Sequence, residues 1–183
     1  NEYTLSTNFN VSTATFVDAF SVAGQETNPY GLAFNTDGTK MFVCGQTGDD
    51  VNEYALSTGF DVSTASFTDA FSVSSQETSP TGLTFNTDGT KMFVIGTSGD
   101  DVNEYTLSTG FDVSTSTFVD SFSVAGQATN PMDVVFSTDG TKMLVAAYSS
   151  QDILLYTLTT GFDVSTASYT SALDVSAVVD RPH

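Results

Sequence analysis

The side chains that could do chemistry are mostly carboxylates, and they recur at a fixed spacing. Asp49-Asp50 and Asp100-Asp101 stand 51 residues apart, and Asp152 is the remnant of this pair in the third copy. Loops rich in oxygen ligands can bind Ca²⁺, a hard cation. The favoured interpretation is nevertheless solvated charge that keeps an acidic surface soluble, because no loop has the D-x-D-x-D-G spacing.

A second set of aspartates, Asp18, Asp69 and Asp120, repeats at the same interval. Each lies between two phenylalanines, on what the alternation predicts to be one apolar face: Phe16 and Phe20, Phe67 and Phe71, Phe118 and Phe122. A buried carboxylate needs hydrogen-bond donors. The favoured role is a structural hydrogen bond to a neighbouring turn. Catalysis is the alternative, and strict repetition argues against it.

The lysines Lys40, Lys91 and Lys142 each follow an Asp-Gly-Thr turn and are the only lysines of the chain. We expect an ion pair with a nearby aspartate such as Asp37 or its equivalents, worth less than about 1 kcal/mol if exposed. The alternative is a ring of lysines that binds an anion.

Cysteine and histidine are too scarce for most catalytic or metal centres. Cys44 occupies the position of Ile95 and Ala146 and is expected to be a small core residue. One cysteine rules out an internal disulfide and a cysteine-based zinc cage. The single histidine, His183, lies in a divergent tail, so a Ser–His–Asp triad is nearly excluded.

Two further features concern modification. Asn10-Val11-Ser12 is a sequon, so Asn10 is a possible glycosylation site. Ser-Thr pairs recur once per copy and could carry O-glycans, but hydroxyls that bond the local backbone in a turn are the favoured explanation. The pairs are Ser12-Thr13, Ser63-Thr64, Ser114-Thr115 and Ser165-Thr166.

Composition removes whole classes of partner. The 183 residues include 22 Asp plus Glu and 4 Lys plus Arg, for a formal net charge of −18. Such a chain will not hold a phosphate backbone and is repelled by anionic lipid. No run approaches the 18 apolar residues that suggest a membrane span. We therefore expect no nucleic-acid partner, no membrane insertion and no cofactor, apart from the Ca²⁺ alternative.

An internal repeat determines the expected fold. Asn1-Glu2-Tyr3 recurs at 52–54 and 103–105, and residues 1–51 match residues 52–102 at 38 of 51 positions without a gap. Such similarity indicates one supersecondary unit per copy.

The copy that begins at Pro80 predicts four antiparallel strands. They are Gly82–Phe85, Lys91–Ile95, Val102–Leu107 and Phe118–Val124. The Asp-Gly between the first two is a strong hairpin signal, and the last alternates apolar and polar residues. No helix signal is present. Four short strands at a period near 50 predict an all-β fold of β-propeller blades.

The hairpin motif also carries a family resemblance. Thr36-Asp37-Gly38-Thr39-Lys40-Met41-Phe42-Val43, repeated at 87–94 and 138–145, resembles the corresponding hairpin of lactonase-like (YVTN-type) and WD40-like propellers. The resemblance covers three hairpins well and the rest loosely, and it implies the fold. A lactonase-like activity is the weaker implication, because fold alone does not give function.

The predicted strands do not form a whole number of blades. We expect one repeat domain over residues 1–183, made of a half-blade (1–28), three blades (29–79, 80–130 and 131–176) and a divergent tail (177–183), which gives 14 strands. The half-blade lacks its inner pair and exposes unpaired backbone groups. Either the chain is a fragment of a larger propeller or a neighbouring molecule completes it.

The expected function is a non-enzymatic structural role. The leading hypothesis is an extracellular or cell- or virion-surface repeat protein that self-associates through its open blade edges, as a homo-oligomer or a filament subunit. The second is a surface or phage adhesion module that binds glycans or a surface protein through repeated loops. The third, suggested by the hairpin resemblance alone, is a lactonase-like hydrolase.

Overall fold

Residues 1–177 are described by the computed structural model, and their regular structure is almost entirely β-strand. An antiparallel pair, β1 (Glu2–Leu5) and β2 (Ala14–Asp18), forms the half-blade. Three four-stranded antiparallel sheets follow it along the chain. The all-β prediction of about three and a half blades is therefore confirmed.

Each four-stranded sheet is built from strands that are consecutive in the sequence. Blade I contains β3 (Pro29–Phe34), β4 (Lys40–Gly45), β5 (Asp50–Leu56) and β6 (Ala65–Ser72). Blade II contains β7 (Pro80–Phe85), β8 (Lys91–Gly96), β9 (Asp101–Leu107) and β10 (Ser116–Ser123). Blade III contains β11 (Pro131–Phe136), β12 (Lys142–Ala147), β13 (Asp152–Leu158) and β14 (Ala167–Asp174).

The Asp-Gly hairpin forms because its glycine is needed there. Gly89 has φ +72°, a conformation that costs little only without a Cβ. A Cβ at this position would also clash with the ring of Phe111. Asp88 accepts hydrogen bonds from the backbone N–H and the hydroxyl of Thr90. The Asp-Gly-Thr residues that predicted the hairpin are thus the ones that stabilise its turn.

Single 3-10 turns, which the sequence did not predict, precede the outermost strands. They cover Val11–Thr13, Val62–Thr64, Val113–Thr115 and Val164–Thr166. In the second of them, Asp61 accepts from the N–H and the hydroxyl of Ser63, while Thr64 donates to the Asp61 carbonyl. These are the local bonds that the turn interpretation of the Ser-Thr pairs predicts.

The hydrophobic core lies between the sheets rather than within any one of them. One cluster joins Phe42, Cys44 and Val51 of blade I to Leu83 and Val94 of blade II. A second joins blades II and III in the same way. Since each sheet buries its faces against its neighbours, a blade depends on the blade next to it for its stability.

Over residues 1–177, no helix is long and apolar enough to cross a bilayer.

Candidate functional site

The junction between blades I and II is closed by aromatic rings. Phe42 of β4 lies 4.5 Å from Phe85 and 6.3 Å from Phe111, measured between ring centroids. Phe71 of β6 packs edge-on against Tyr105 at 5.5 Å. Aromatic pairs at these distances add to the free energy of simple burial.

A lysine and a glutamate reach across the same junction. Lys40 of β4 forms an ion pair of 2.7 Å with Glu53 of β5 and donates at 2.6 Å to the carbonyl of Phe111 in blade II. The second oxygen of Glu53 accepts the backbone N–H of Val113 at 3.0 Å. We call this arrangement the clasp: a Lys–Glu pair on one blade that holds the 3-10 turn of the next.

The second junction repeats the clasp. Lys91 pairs with Glu104 at 2.7 Å and donates to the Phe162 carbonyl at 2.6 Å, while Glu104 accepts from Val164 N–H at 3.0 Å. The two glutamates are only 2% exposed. A carboxylate is tolerated at such burial because a lysine and a backbone donor satisfy its oxygens.

The prediction that these lysines pair with a nearby aspartate is therefore wrong. Lys40 pairs with Glu53 and not with Asp37, which instead accepts from Thr39 within the hairpin turn. Those hydrogen bonds, from the Thr39 hydroxyl first, lower the pKa of the Asp37 carboxyl. The equivalent bonds from Ser137 and Thr141 lower the pKa of Asp139 to about 2.

The third lysine has no clasp. Lys142 donates to the Thr157 hydroxyl at 2.9 Å, and Leu155 stands where the first two blades carry Glu53 and Glu104. Blade III consequently lacks the carboxylate that would hold a following 3-10 turn.

A second repeated glutamate organises the loops at the other end of blades I and II. Glu77, 1% exposed, accepts from the backbone N–H groups of Ser79, Ser98 and Gly99 at 2.7–3.1 Å. Glu26 makes the equivalent bonds in blade I. We call this feature the loop latch, because one carboxylate fixes two loops.

The latch changes the acidity of its carboxyl group. Burial alone would raise the pKa of Glu26. Hydrogen bonds from Asn28, Thr47 and Gly48 outweigh that effect and hold the pKa below its ordinary value of 4.5. The ionised form is thus the one that the fold stabilises.

Blade III has exchanged the latch for an apolar contact. A Cβ added to Gly96 would clash with Cδ of Glu77 and with the carbonyl oxygen of Ser79, so the glycine makes room for the carboxylate and for the backbone beside it. In blade III both partners are alanine, Ala128 and Ala147, and both are buried. The glutamate and the glycine have therefore changed together.

The aspartates considered for Ca²⁺ begin the third strand of each of two blades. Asp50 and Asp101 are the first residues of β5 and β9, while Asp49 and Asp100 precede them with φ of +54° and +53°. Burial, then the charges of neighbouring carboxylates, raises the pKa of Asp49 and of Asp100. Within residues 1–177 no group of three or more His, Cys, Asp or Glu is arranged to hold a metal ion. Ca²⁺ binding stays a prediction.

The aspartates between phenylalanines do not lie on one apolar face with both rings. The β6–β5 register shifts after Phe67, which pairs with Tyr54, while Asp69 pairs with Glu53 and Phe71 with Val51. The extra residue, a β-bulge, puts Phe67 and Phe71 on opposite faces.

The expected hydrogen bond of these aspartates to a neighbouring turn is likewise not found. Asp18, Asp69 and Asp120 each accept from the N–H of the following residue, at 2.7–2.8 Å. Asp18 and Asp69 are half-buried, and Asp120 is exposed.

Three further residues were singled out from the sequence: Cys44, Asn10 and His183. Cys44 is fully buried in the cluster between blades I and II, and burial raises the pKa of its thiol to about 12. Asn10 accepts from the N–H and the hydroxyl of Ser12, and its glycosylation stays a prediction. His183 lies outside the described residues.

The junction between the half-blade and blade I is open. Leu32 of β3 is 59% exposed, whereas its equivalents Leu83 and Val134 are 4% and 1% exposed. Beside it lies a cleft of about 500 Å³ whose walls are mainly apolar. We call this surface the open face; its lining includes Tyr3, Tyr30, Leu32, Phe34, Met41 and Phe60.

The glutamate part of a clasp is present at the open face. Glu2 accepts the backbone N–H of Val62 at 3.0 Å, as Glu53 and Glu104 do in their junctions. Among the described residues, neither the other oxygen of Glu2 nor the Phe60 carbonyl is paired with a lysine. The half-blade's own turn is also uncovered, with Phe9 99% exposed.

Sequence reasoning missed both families of glutamate. Glu2, Glu53 and Glu104 were visible as the second letter of the repeated Asn-Glu-Tyr, at the same period as the lysines. A matched period of opposite charges, on strands that must be buried, is the signal that could have paired them. Glu26 and Glu77 carried no such signal, because their partners are backbone groups.

Comparison with known proteins gives matches among solved structures. No protein-family model and no curated protein matches the chain. A candidate 6-phosphogluconolactonase from Bacteroides fragilis superposes with a TM-score of 0.58 at 17% identity, over 80% of this chain and 39% of that one. The β-propeller domain of Myceliophteria thermophila Cps50 (Swd1) superposes with a TM-score of 0.54 at 13% identity, over 80% and 43%.

The chain is a β-propeller repeat protein. The periplasmic gluconolactonase PpgL of Pseudomonas aeruginosa has the same fold, with a TM-score of 0.54 at 19% identity over 79% of this chain and 38% of that one. The propeller chain thus spans about two fifths of the length of the solved structures that it matches. At these identities the likeness concerns the fold alone.

Proposed function

We propose that this propeller chain is a non-enzymatic structural repeat protein, extracellular or on a cell or virion surface, which self-associates through its open blade edges. The observation that carries the proposal is the open face. Leu32 is exposed there, although the same position is buried in both complete junctions. An apolar surface of this kind, next to an unpaired strand, is typical of a protein interaction site.

The unpaired strand adds a backbone contribution. In the complete blades the third strand has partners on both sides, as β9 has in β8 and β10. Within the described residues, β1 pairs with β2 alone. Its free edge offers N–H and C=O groups to another strand.

The opposite end of the array also leaves apolar surface uncovered. Leu144 of β12 is 39% exposed, whereas its equivalents Phe42 and Phe93 are fully buried. The two ends present different surfaces, so a contact between them joins copies head to tail. Such contacts produce rings when the rotation closes and filaments when it does not.

The repeated charged side chains support a structural role over catalysis. Lys40 and Lys91 are engaged in clasps, and Glu26 and Glu77 in loop latches. Lactone hydrolysis is the alternative, suggested by the names of the matched structures. We expect no hydrolysis of 6-phosphogluconolactone. A rate above background that fell on substitution of a carboxylate would favour the enzyme instead.

Sedimentation velocity over a range of concentrations tests the proposal. We expect species larger than the monomer, which return to monomer in Leu32→Asp because a charge then lies in the cleft. Val119→Asp is the matched control, since Val119 is also exposed but lies in the outer strand β10. A monomer at every concentration would contradict self-association.

A further inference from the structure

The open face has the shape of a junction from which one element is missing. In the complete junctions, the inner hairpin of one blade supplies three things to the next: a phenylalanine, a residue at the Cys44 position and the clasp lysine. For blade II these come from β4, as Phe42, Cys44 and Lys40. At the open face the receiving surface is present without these three groups.

At one point of the receiving surface, two hydrogen-bond acceptors lie where a lysine would bind. The Phe111 carbonyl and Glu53, which hold Lys40, correspond to the Phe60 carbonyl and Glu2 at the open face. Glu2 is held in position by its hydrogen bond to Val62 N–H. A charge-assisted bond to a lysine would satisfy both remaining acceptors.

We propose that the open face binds a further β-hairpin of this same repeat type, one that is not among residues 1–183, with a lysine at the start of its second strand. The inference rests on the proposed function in that both use the same open edge, but it also specifies the chemistry of the partner.

The register of the incoming strand follows from the complete blades. In blade I, Lys40 lies opposite Ala55 and Phe42 lies opposite Glu53. Transferred by one repeat, the lysine of the hairpin lies opposite Thr4 and its phenylalanine opposite Glu2. The second strand thus extends the half-blade by β-augmentation along the free edge of β1.

The apolar fit sets a second requirement. Phe42 packs between Phe85 and Phe111, and Leu83 is buried in the same cluster. The corresponding residues of the open face are Phe34, Phe60 and Leu32, which line the cleft. A hairpin with a large apolar side chain two residues after its lysine fills the cleft.

Binding of a synthetic hairpin to the full chain tests the proposal. The peptide has the sequence of residues 80–96, and isothermal titration calorimetry measures its affinity. We expect saturable binding that weakens at least about tenfold when the peptide lysine is replaced by methionine, because a charged hydrogen bond is lost. A scrambled peptide is the control.

The protein variant Glu2→Gln locates the contact. The glutamine retains an acceptor for Val62, so the fold is kept while the charge is removed. We expect the lysine peptide to bind this variant at least about tenfold more weakly, and the methionine peptide to lose no further affinity. Equal binding of the lysine, methionine and scrambled peptides would overturn the proposal.

A covalent version removes the dependence on peptide folding, since a lone hairpin is marginal in water. Residues 80–102 are fused ahead of Asn1, which restores the continuity of the repeat because Asn103 follows Val102 in the chain. We expect the melting temperature to rise by about 5 °C or more, and by less when the fused lysine is methionine. An unchanged melting temperature contradicts the proposal.

The two proposals can fail separately. If the unfused chain is monomeric and yet binds the hairpin, self-association is wrong and the hairpin site stands. If the chain self-associates and saturating peptide neither binds nor disperses it, the hairpin site is wrong and another surface mediates association.

Discussion

The junction between blades I and II and the junction between the half-blade and blade I are made from nearly the same residues. Leu83 and Leu32 occupy the same position of the repeat, and so do Glu53 and Glu2. The first junction is closed by rings and a clasp, while the second exposes Leu32 and holds half a clasp. Equivalent residues therefore contribute differently to stability, depending on whether a neighbouring inner hairpin is present.

The comparison teaches that the apolar burial of this array depends on contacts between blades. The complete junctions bury apolar clusters of ten and thirteen residues, and the open one buries five. Because the free energy of burial scales with the apolar area removed from water, the open junction is the weakest part of the chain.

Alanine substitution at the matched leucines should give the largest contrast. Leu83→Ala leaves a cavity in a closed junction and should cost about 3 kcal/mol of unfolding free energy. Leu32→Ala, at the exposed equivalent, should cost less than about 1 kcal/mol in the monomer. Urea unfolding of both variants measures the difference. Equal losses would contradict the assignment of the open face.

Removing a clasp carboxylate should have the next largest effect. Glu104→Leu copies the residue that blade III carries at position 155, and it leaves Lys91 without its ion-pair partner and the Val164 N–H without its acceptor. We expect a loss of about 2 kcal/mol, below the range for a fully buried pair because Lys91 is partly exposed. Chemical unfolding measures it. A stability equal to the parent would show that the clasp is dispensable.

The loop latch predicts that substitutions at Gly96 and Glu77 are coupled by about 1 kcal/mol of unfolding free energy. Gly96→Ala introduces a methyl group against Glu77, and Glu77→Ala leaves three backbone N–H groups without an acceptor. Blade III carries alanine at both positions, so the double variant should lose less than the sum of the single losses. Strict additivity would mean that the two positions changed independently.

Acid should weaken the latch of blade I. The pKa of Glu26 is depressed in the fold, so its contribution is present above the ordinary value of 4.5 and is lost as pH falls through the folded pKa. The raised pKa values of Asp49 and Asp100 act in the opposite direction. Urea unfolding between pH 6 and pH 3 should therefore show a smaller acid loss in Glu26→Gln than in the parent.

The strands were predictable because their signals are local. The Asp-Gly turn that contains Gly89 fixes a hairpin by itself, and the repeat then transfers the same assignment to each copy. The all-β class and the number of strands followed from these signals.

The site was less predictable because it depends on register. The bulge that separates Phe67 from Phe71 is invisible in simple alternation. The ion-pair partner of Lys40 lies on another strand of its blade, 13 residues away, and its second contact, the Phe111 carbonyl, lies 71 residues away in the next blade. Only the packing of neighbouring sheets brings Glu53, Lys40 and Phe111 together.

Hydrogen exchange as a function of protein concentration tests the central claim most directly, because it reports backbone protection strand by strand. We predict that the amides of β1 and β3 exchange fast in dilute solution and slow markedly as the concentration rises. Those of β9, paired on both sides, should exchange slowly throughout. Protection of β1 and β3 that is as high in dilute solution as in concentrated solution would contradict the account.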